Sequence, residues 1–135
     1  MFLRTSALLM IWMAQGSAPV AQTQAPITYD AFCKLAPDDK RTAFKQTPAE
    51  NRAVLVRTQV ERWRDANVAQ LNAAQIEALK EMLAVITPEA YSGAPRTDEA
   101  SARLRALEAK MMTLFSREEN QAMQPTGPCI AKKPE

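Results

Sequence analysis

Apolar positions in this chain recur in steps of three and four. In "TPAENRAVLVRTQVERWRDAN" the stripe is Ala53, Val56, Val60 and Trp63, one side of a long helix. "LNAAQIEALKEMLAVITP" repeats the pattern with Ile76, Leu79, Leu83 and Ile86, and "DEASARLRALEAKMMTLF" with Ala100, Leu104, Leu107, Met111 and Leu114. Helices of this length, each with one narrow apolar stripe, hide those stripes by packing on one another. No segment alternates apolar and polar residues with β-branched enrichment, so no strand is expected. The pattern predicts an all-α fold, a small helical bundle with proline-marked turns.

Punctuation residues place the helix ends. Thr28 is the expected cap of a short first helix that stops near Ala36, before Pro37. Pro37 opens a second, with Asp38 and Asp39 in the turn where the helix dipole favours negative charge and Phe44 as its main apolar contact. Thr47, Pro48 and Glu50 are read as cap, first helical residue and capping-box partner of the long helix, with Arg57 and Glu61 paired on its wet side. Asn72 with Gln75, and Ser116 with Glu119, have the spacing of reciprocal capping boxes, and Leu71 and Ile76 that of a hydrophobic staple. Between them "TPEAYSG" reads as a single capped turn stopped by Gly93, with Tyr91 facing inward. The segments "LNAAQIEAL" and "FSREENQAM" thus echo each other, read as shared cap chemistry with a true duplication as the alternative.

The start of the chain has a different character. "MFLRTSALLMIWMAQGSA" joins one positive charge at Arg4 to an apolar run over residues 7–14 and then to small residues, the form of a secretory signal peptide. The run is shorter than the roughly 20 residues of a bilayer-spanning helix. The expected division is a signal peptide over residues 1–16, a flexible lead-in over 17–27, a helical domain over 28–123 and a tail over 124–135. Cleavage after Ala21 is the alternative. The mature protein is expected to be exported, periplasmic or extracellular, with no integral membrane segment.

Export gives the two cysteines a meaning. In an oxidising compartment an even count reads as a bridge, and Cys33–Cys129 is the one internal pairing available. Tyr29, Phe32, Cys33 and Ala36 share a helix side, so Cys33 is expected to face the core and Cys129 to clamp the proline-broken tail back onto it. An intermolecular disulfide and a reactive thiol are the alternatives.

Charge and composition exclude more than they assign. Seventeen basic against fifteen acidic residues leave a formal charge of +2, with no basic stripe for nucleic acid. Arg57, Arg62 and Arg64 cluster, but Glu61 and Asp65 sit among them. There is no histidine, which removes the commonest general base and metal ligand. No glycine-rich phosphate loop occurs, and the carboxylate pairs at 38–39 and 118–119 have capping and dipole roles. The reading is a non-enzyme without cofactor or metal, with a protein or peptide as candidate partner. Core filling is the expectation for Met82, Met111 and Met123, whereas Met112, beside the stripe, is the candidate exposed contact. The candidate partner-binding residues are therefore Met112, Arg57, Arg62 and Arg64.

Two resemblances follow from these segments. "YDAFCKLAPDDKRTAF", "TPAENRAVLVRTQVERW" and "LNAAQIEALKEMLAVITPEAY" resemble fulvocin C-related bacteriocin proteins over most of residues 29–123. That resemblance implies an exported helical protein or precursor; the cysteine cluster of those precursors has no counterpart here. "LNAAQ", with Asn72 in place of threonine, and more loosely "FSREE", are similar to the repeats of periplasmic LTxxQ-motif chaperones and stress sensors. This second resemblance implies a helical protein without a catalytic site that holds clients on an exposed apolar or basic surface.

Overall fold

The computed structural model describes residues 26–134. The expected signal peptide and all but the end of the expected lead-in lie outside the described residues. Within them the chain forms six α-helices and no strand: α1 (Tyr29–Cys33), α2 (Pro37–Gln46), α3 (Ala49–Asn67), α4 (Ala73–Val85), α5 (Asp98–Leu114) and α6 (Arg117–Ala122). Short 3-10 turns occupy Val68–Gln70 and Pro88–Tyr91. The all-α bundle and its proline-marked turns are as the pattern predicts. No helix among the described residues is long and apolar enough to cross a membrane.

Most helix starts are local events and follow the sequence. Thr28 Oγ1 accepts from the Ala31 N–H at 3.2 Å. The Asn72 side chain accepts from the Gln75 N–H and the Gln75 side chain from the Asn72 N–H, both at 2.9 Å. Ser116 and Glu119 close the same reciprocal pair at 3.1 and 2.8 Å, and Thr97 caps α5 through the Ala100 N–H at 3.1 Å.

The start of α3 is a correction. Pro48, extended at ψ 155°, is the flanking residue, and no side chain caps the helix. Thr47 is thereby one position too far out to reach the first turn, and its own N–H is tied to Ala43 O at 3.0 Å as the end of α2. Its hydroxyl is buried without a hydrogen-bond partner.

Helix α3 runs through the middle and buries two faces rather than one. Ala53, Val56, Val60 and Trp63 form the main core with Ala78, Leu79 and Leu83 of α4, Leu107 and Met111 of α5, and Ile86, Phe115 and Met123. Trp63 meets Phe115 edge to face at 5.7 Å. Leu55, outside the predicted stripe, packs with Tyr29, Phe32 and Cys33 of α1 in a second cluster that Ile27 also borders. Phe44 joins the two, 6.3 Å from Phe32 and 6.1 Å from Tyr91 between ring centres. Ile76, assigned to the α4 stripe, is only half-buried, and Ala78 takes an inner position instead.

The tail is held where the cysteines implied. Cys33 and Cys129 form a disulfide across 96 positions, with Cα atoms 5.1 Å apart. Around it lies a set of polar contacts that the pattern did not indicate. Gln59, at 0% exposure, accepts from the Tyr29 hydroxyl and donates Nε2 to Ala122 O at 2.8 Å and Pro128 O at 2.9 Å. Lys40, also buried, donates Nζ to Gly127 O at 2.9 Å. At Gly127 a Cβ would stand 2.6 Å from Ala122 O, so only glycine lets the tail lie this close to the end of α6.

Candidate functional site

Beside α5 lies a cleft of about 760 Å³, within the size range of small-molecule pockets. Its origin is in the connection between α4 and α5. Pro88 ends the preceding helical pattern, the Pro88–Tyr91 turn follows, and Gly93 at φ 79° supplies the left-handed step into the loop. Thr97 then starts α5 with its first turns standing away from α4. Leu107, Met111 and Phe115 return to the core, but Ala100 is exposed and Leu104 only half-buried. The stripe expected to be buried along its whole length is therefore core in one half and cleft wall in the other.

Met82, Val85 and Ile86 at the end of α4 form the facing wall together with Ala90 and Tyr91, above Val56 of α3 and Met123. That wall is fixed from behind by Arg57, whose Nη2 donates to Leu83 O at 3.1 Å and Ile86 O at 2.6 Å, two carbonyls at the open end of α4. The expected Arg57–Glu61 pairing is replaced by this inward use. All four methionines among the described residues line the cleft. Met111 and Met123 are buried as expected, Met82 is half-buried, and Met112 stands at the rim with 77% exposure.

The titratable groups lining the cleft are Glu89, Tyr91, Arg96 and Glu108. Burial pushes the Tyr91 phenol above its ordinary value of 10.0, and the Arg96 guanidinium opposes part of that rise, so Tyr91 is a neutral hydroxyl near neutral pH. Arg96 itself donates to Ala90 O at 3.4 Å. Neither Glu89 nor Glu108 has an ion-pair partner among the described residues. A methionine-rich apolar trough with separated rim charges can bind and orient a ligand.

The other candidate residues fall elsewhere. Arg62 lies over the Tyr29 ring at 4.3 Å, pairs with Asp30 at 3.3 Å and donates to Ile130 O at 3.0 Å. Arg64 pairs with its neighbour Asp65 at 3.0 Å. None of Arg57, Arg62 and Arg64 lines the cleft, and of the four partner-binding candidates only Met112 does. What sequence reasoning missed is the Leu104–Tyr91 side of the site. The available signal was the exposed loop "SGAPRT", long enough to detach the first turns of α5 from α4. Among the described residues no three His, Cys, Asp or Glu side chains group as a metal site.

The two echoing segments do meet. Gln75 Nε2, besides closing its own box, donates to Leu114 O at 2.9 Å, immediately before Phe115 and Ser116. The first start signal thus lies against the residues that lead into the second.

Comparison with protein-family models, with curated proteins and with solved structures gives no match to this chain.

Proposed function

We propose that this chain is an exported, non-enzymatic helical protein that acts by binding, with the methionine-lined cleft as its contact surface. The observation that carries the proposal is the half-detached α5, which leaves Ala100 and Met112 exposed and Leu104 only half-buried beside Met82, Ile86 and Tyr91. Unbranched methionine side chains adapt to a partner at small conformational cost. The Cys33–Cys129 disulfide is compatible with an oxidising compartment, and hence with export. The resemblance to fulvocin C-related precursors agrees with an exported helical protein that works on a partner.

An envelope holdase related to the LTxxQ-motif proteins is the second reading. The clasp from Gln75 of one motif-like segment to Leu114, immediately before the other, favours it. A holdase retains clients near stoichiometric ratio and stays intact, whereas a precursor is recovered cleaved from culture fluid.

Titration with the fluorescent apolar dye ANS tests the binding role of the cleft. The oxidised protein is expected to bind the dye saturably. Leu104→Glu, at a half-buried wall position, should abolish that binding while leaving the thermal transition in place. Absence of dye binding, or binding unchanged in the variant, overturns the proposal.

A further inference from the structure

We propose that the occupant of the cleft is a basic amphipathic helix of about four turns, a partner segment with an apolar stripe flanked by lysine or arginine. This rests on the cleft being the binding surface and adds what it binds. Length is the first argument. The lining follows α5 from Thr97 to Met112, about 22 Å at 1.5 Å per residue. An elongated trough between one helix and the end of another matches a docked helix that presents anchors at i, i+3 or i+4, and i+7.

Chemistry is the second argument. The trough is lined by all four described methionines with Leu104 and Tyr91, a surface that repacks around aliphatic or aromatic anchors. Charge is the third. Glu89, on the turn at one end, and Glu108, on the flank of α5, face the cleft with no ion-pair partner among the described residues. Against these two carboxylates the lining holds one cation, Arg96, so the described lining carries a net negative charge. The two carboxylates complement cations beside an incoming apolar stripe, and they repel an acidic one.

The test uses the full oxidised protein and two synthetic helical peptides with one shared leucine–methionine face. One peptide has lysine on the flanks and the other glutamate. Binding is read by fluorescence anisotropy and by displacement of ANS, with laurate as a lipid competitor. The lysine peptide is expected to bind about tenfold tighter than the glutamate peptide, the effect of two rim ion pairs. That preference should shrink with added salt and disappear in the double variant Glu89→Gln, Glu108→Gln, while both peptides keep their dependence on Leu104. Equal or reversed preference overturns the assignment. So does displacement of the dye by laurate and by neither peptide, which would make the occupant an acyl chain while the cleft remains a binding surface. A cleft that takes up neither dye nor peptide overturns the underlying reading as well.

Discussion

Lys40 Nζ donates to the carbonyl of Gly127 at 2.9 Å, across 87 positions of the chain. Helix α2 thereby holds the tail at the glycine that lies closest to the end of α6. Hydrogen bonds to charged groups contribute about 1.5–3 kcal/mol. Lys40→Met, which keeps the aliphatic stem and leaves Gly127 O unmet, is expected to destabilise by about that amount. Urea unfolding measures the cost. Hydrogen exchange should show the loss of protection concentrated at the Gly127 amide, with the α3 core little changed.

Gln59 has the larger effect. It satisfies the Tyr29 hydroxyl and the carbonyls of Ala122 and Pro128 from a fully buried position. Gln59→Leu is close in volume, yet it orphans three polar groups at about 1–3 kcal/mol each where water cannot replace the bond. A loss of roughly 3–5 kcal/mol is expected, the lower part of that sum, because single substitutions seldom cost more. A loss below 1 kcal/mol would show that water reaches the site.

The disulfide acts mainly on the unfolded chain. Its loop of 96 positions corresponds to about 4–5 kcal/mol in the chain-entropy account. The double variant Cys33→Ser, Cys129→Ser is expected to lower the denaturation midpoint and also to raise the denaturant slope, because the uncrosslinked chain exposes more surface when unfolded. A midpoint shift with no change in slope would place the effect in the folded state instead.

Thr47 predicts a gain. Its buried hydroxyl has no hydrogen-bond partner, so Thr47→Val exchanges an unmet polar atom for a methyl group of the same shape. Stabilisation of about 1 kcal/mol is expected, read as a higher thermal midpoint. Had Thr47 capped α3, the same substitution would destabilise.

Tyr91 gives a pH dependence with a fixed sign. Burial raises its phenol above 10.0, with Arg96 opposing. The unfolded chain therefore releases this proton first. The stabilising contribution is complete below about pH 10 and is lost as pH rises through the folded value. Tyr91→Phe removes that component, so the stability difference between wild type and variant is expected to be flat from pH 7 to about 10 and to change above it.

The helices were legible because their signals are short-ranged. Asn72 with Gln75 and Ser116 with Glu119 are bonds between residues three apart, formed wherever those types occur at a helix start. The pairing of Cys33 with Cys129 was legible by parity. Thr47 misled because the capping rule counts positions from a helix start, and Pro48 moved that start by one residue. Leu55 was overlooked because it lies outside the main stripe of α3 and needs α1 to cover it.

By itself, then, the amino-acid order determined the helical elements, most of their caps and stops, and the identity of the disulfide partners. Those depend on local backbone chemistry and on a choice between only two thiols. Only the tertiary structure decided that Gln59 and Lys40 are buried and satisfied, that Arg57 serves the end of α4, and that the α5 stripe divides into core and cleft. The physical reason is distance along the chain. A glutamine is buried only if an acceptor such as Pro128 arrives from 69 positions away, and Leu104 lines a cleft only because the loop before α5 sets that helix apart from α4.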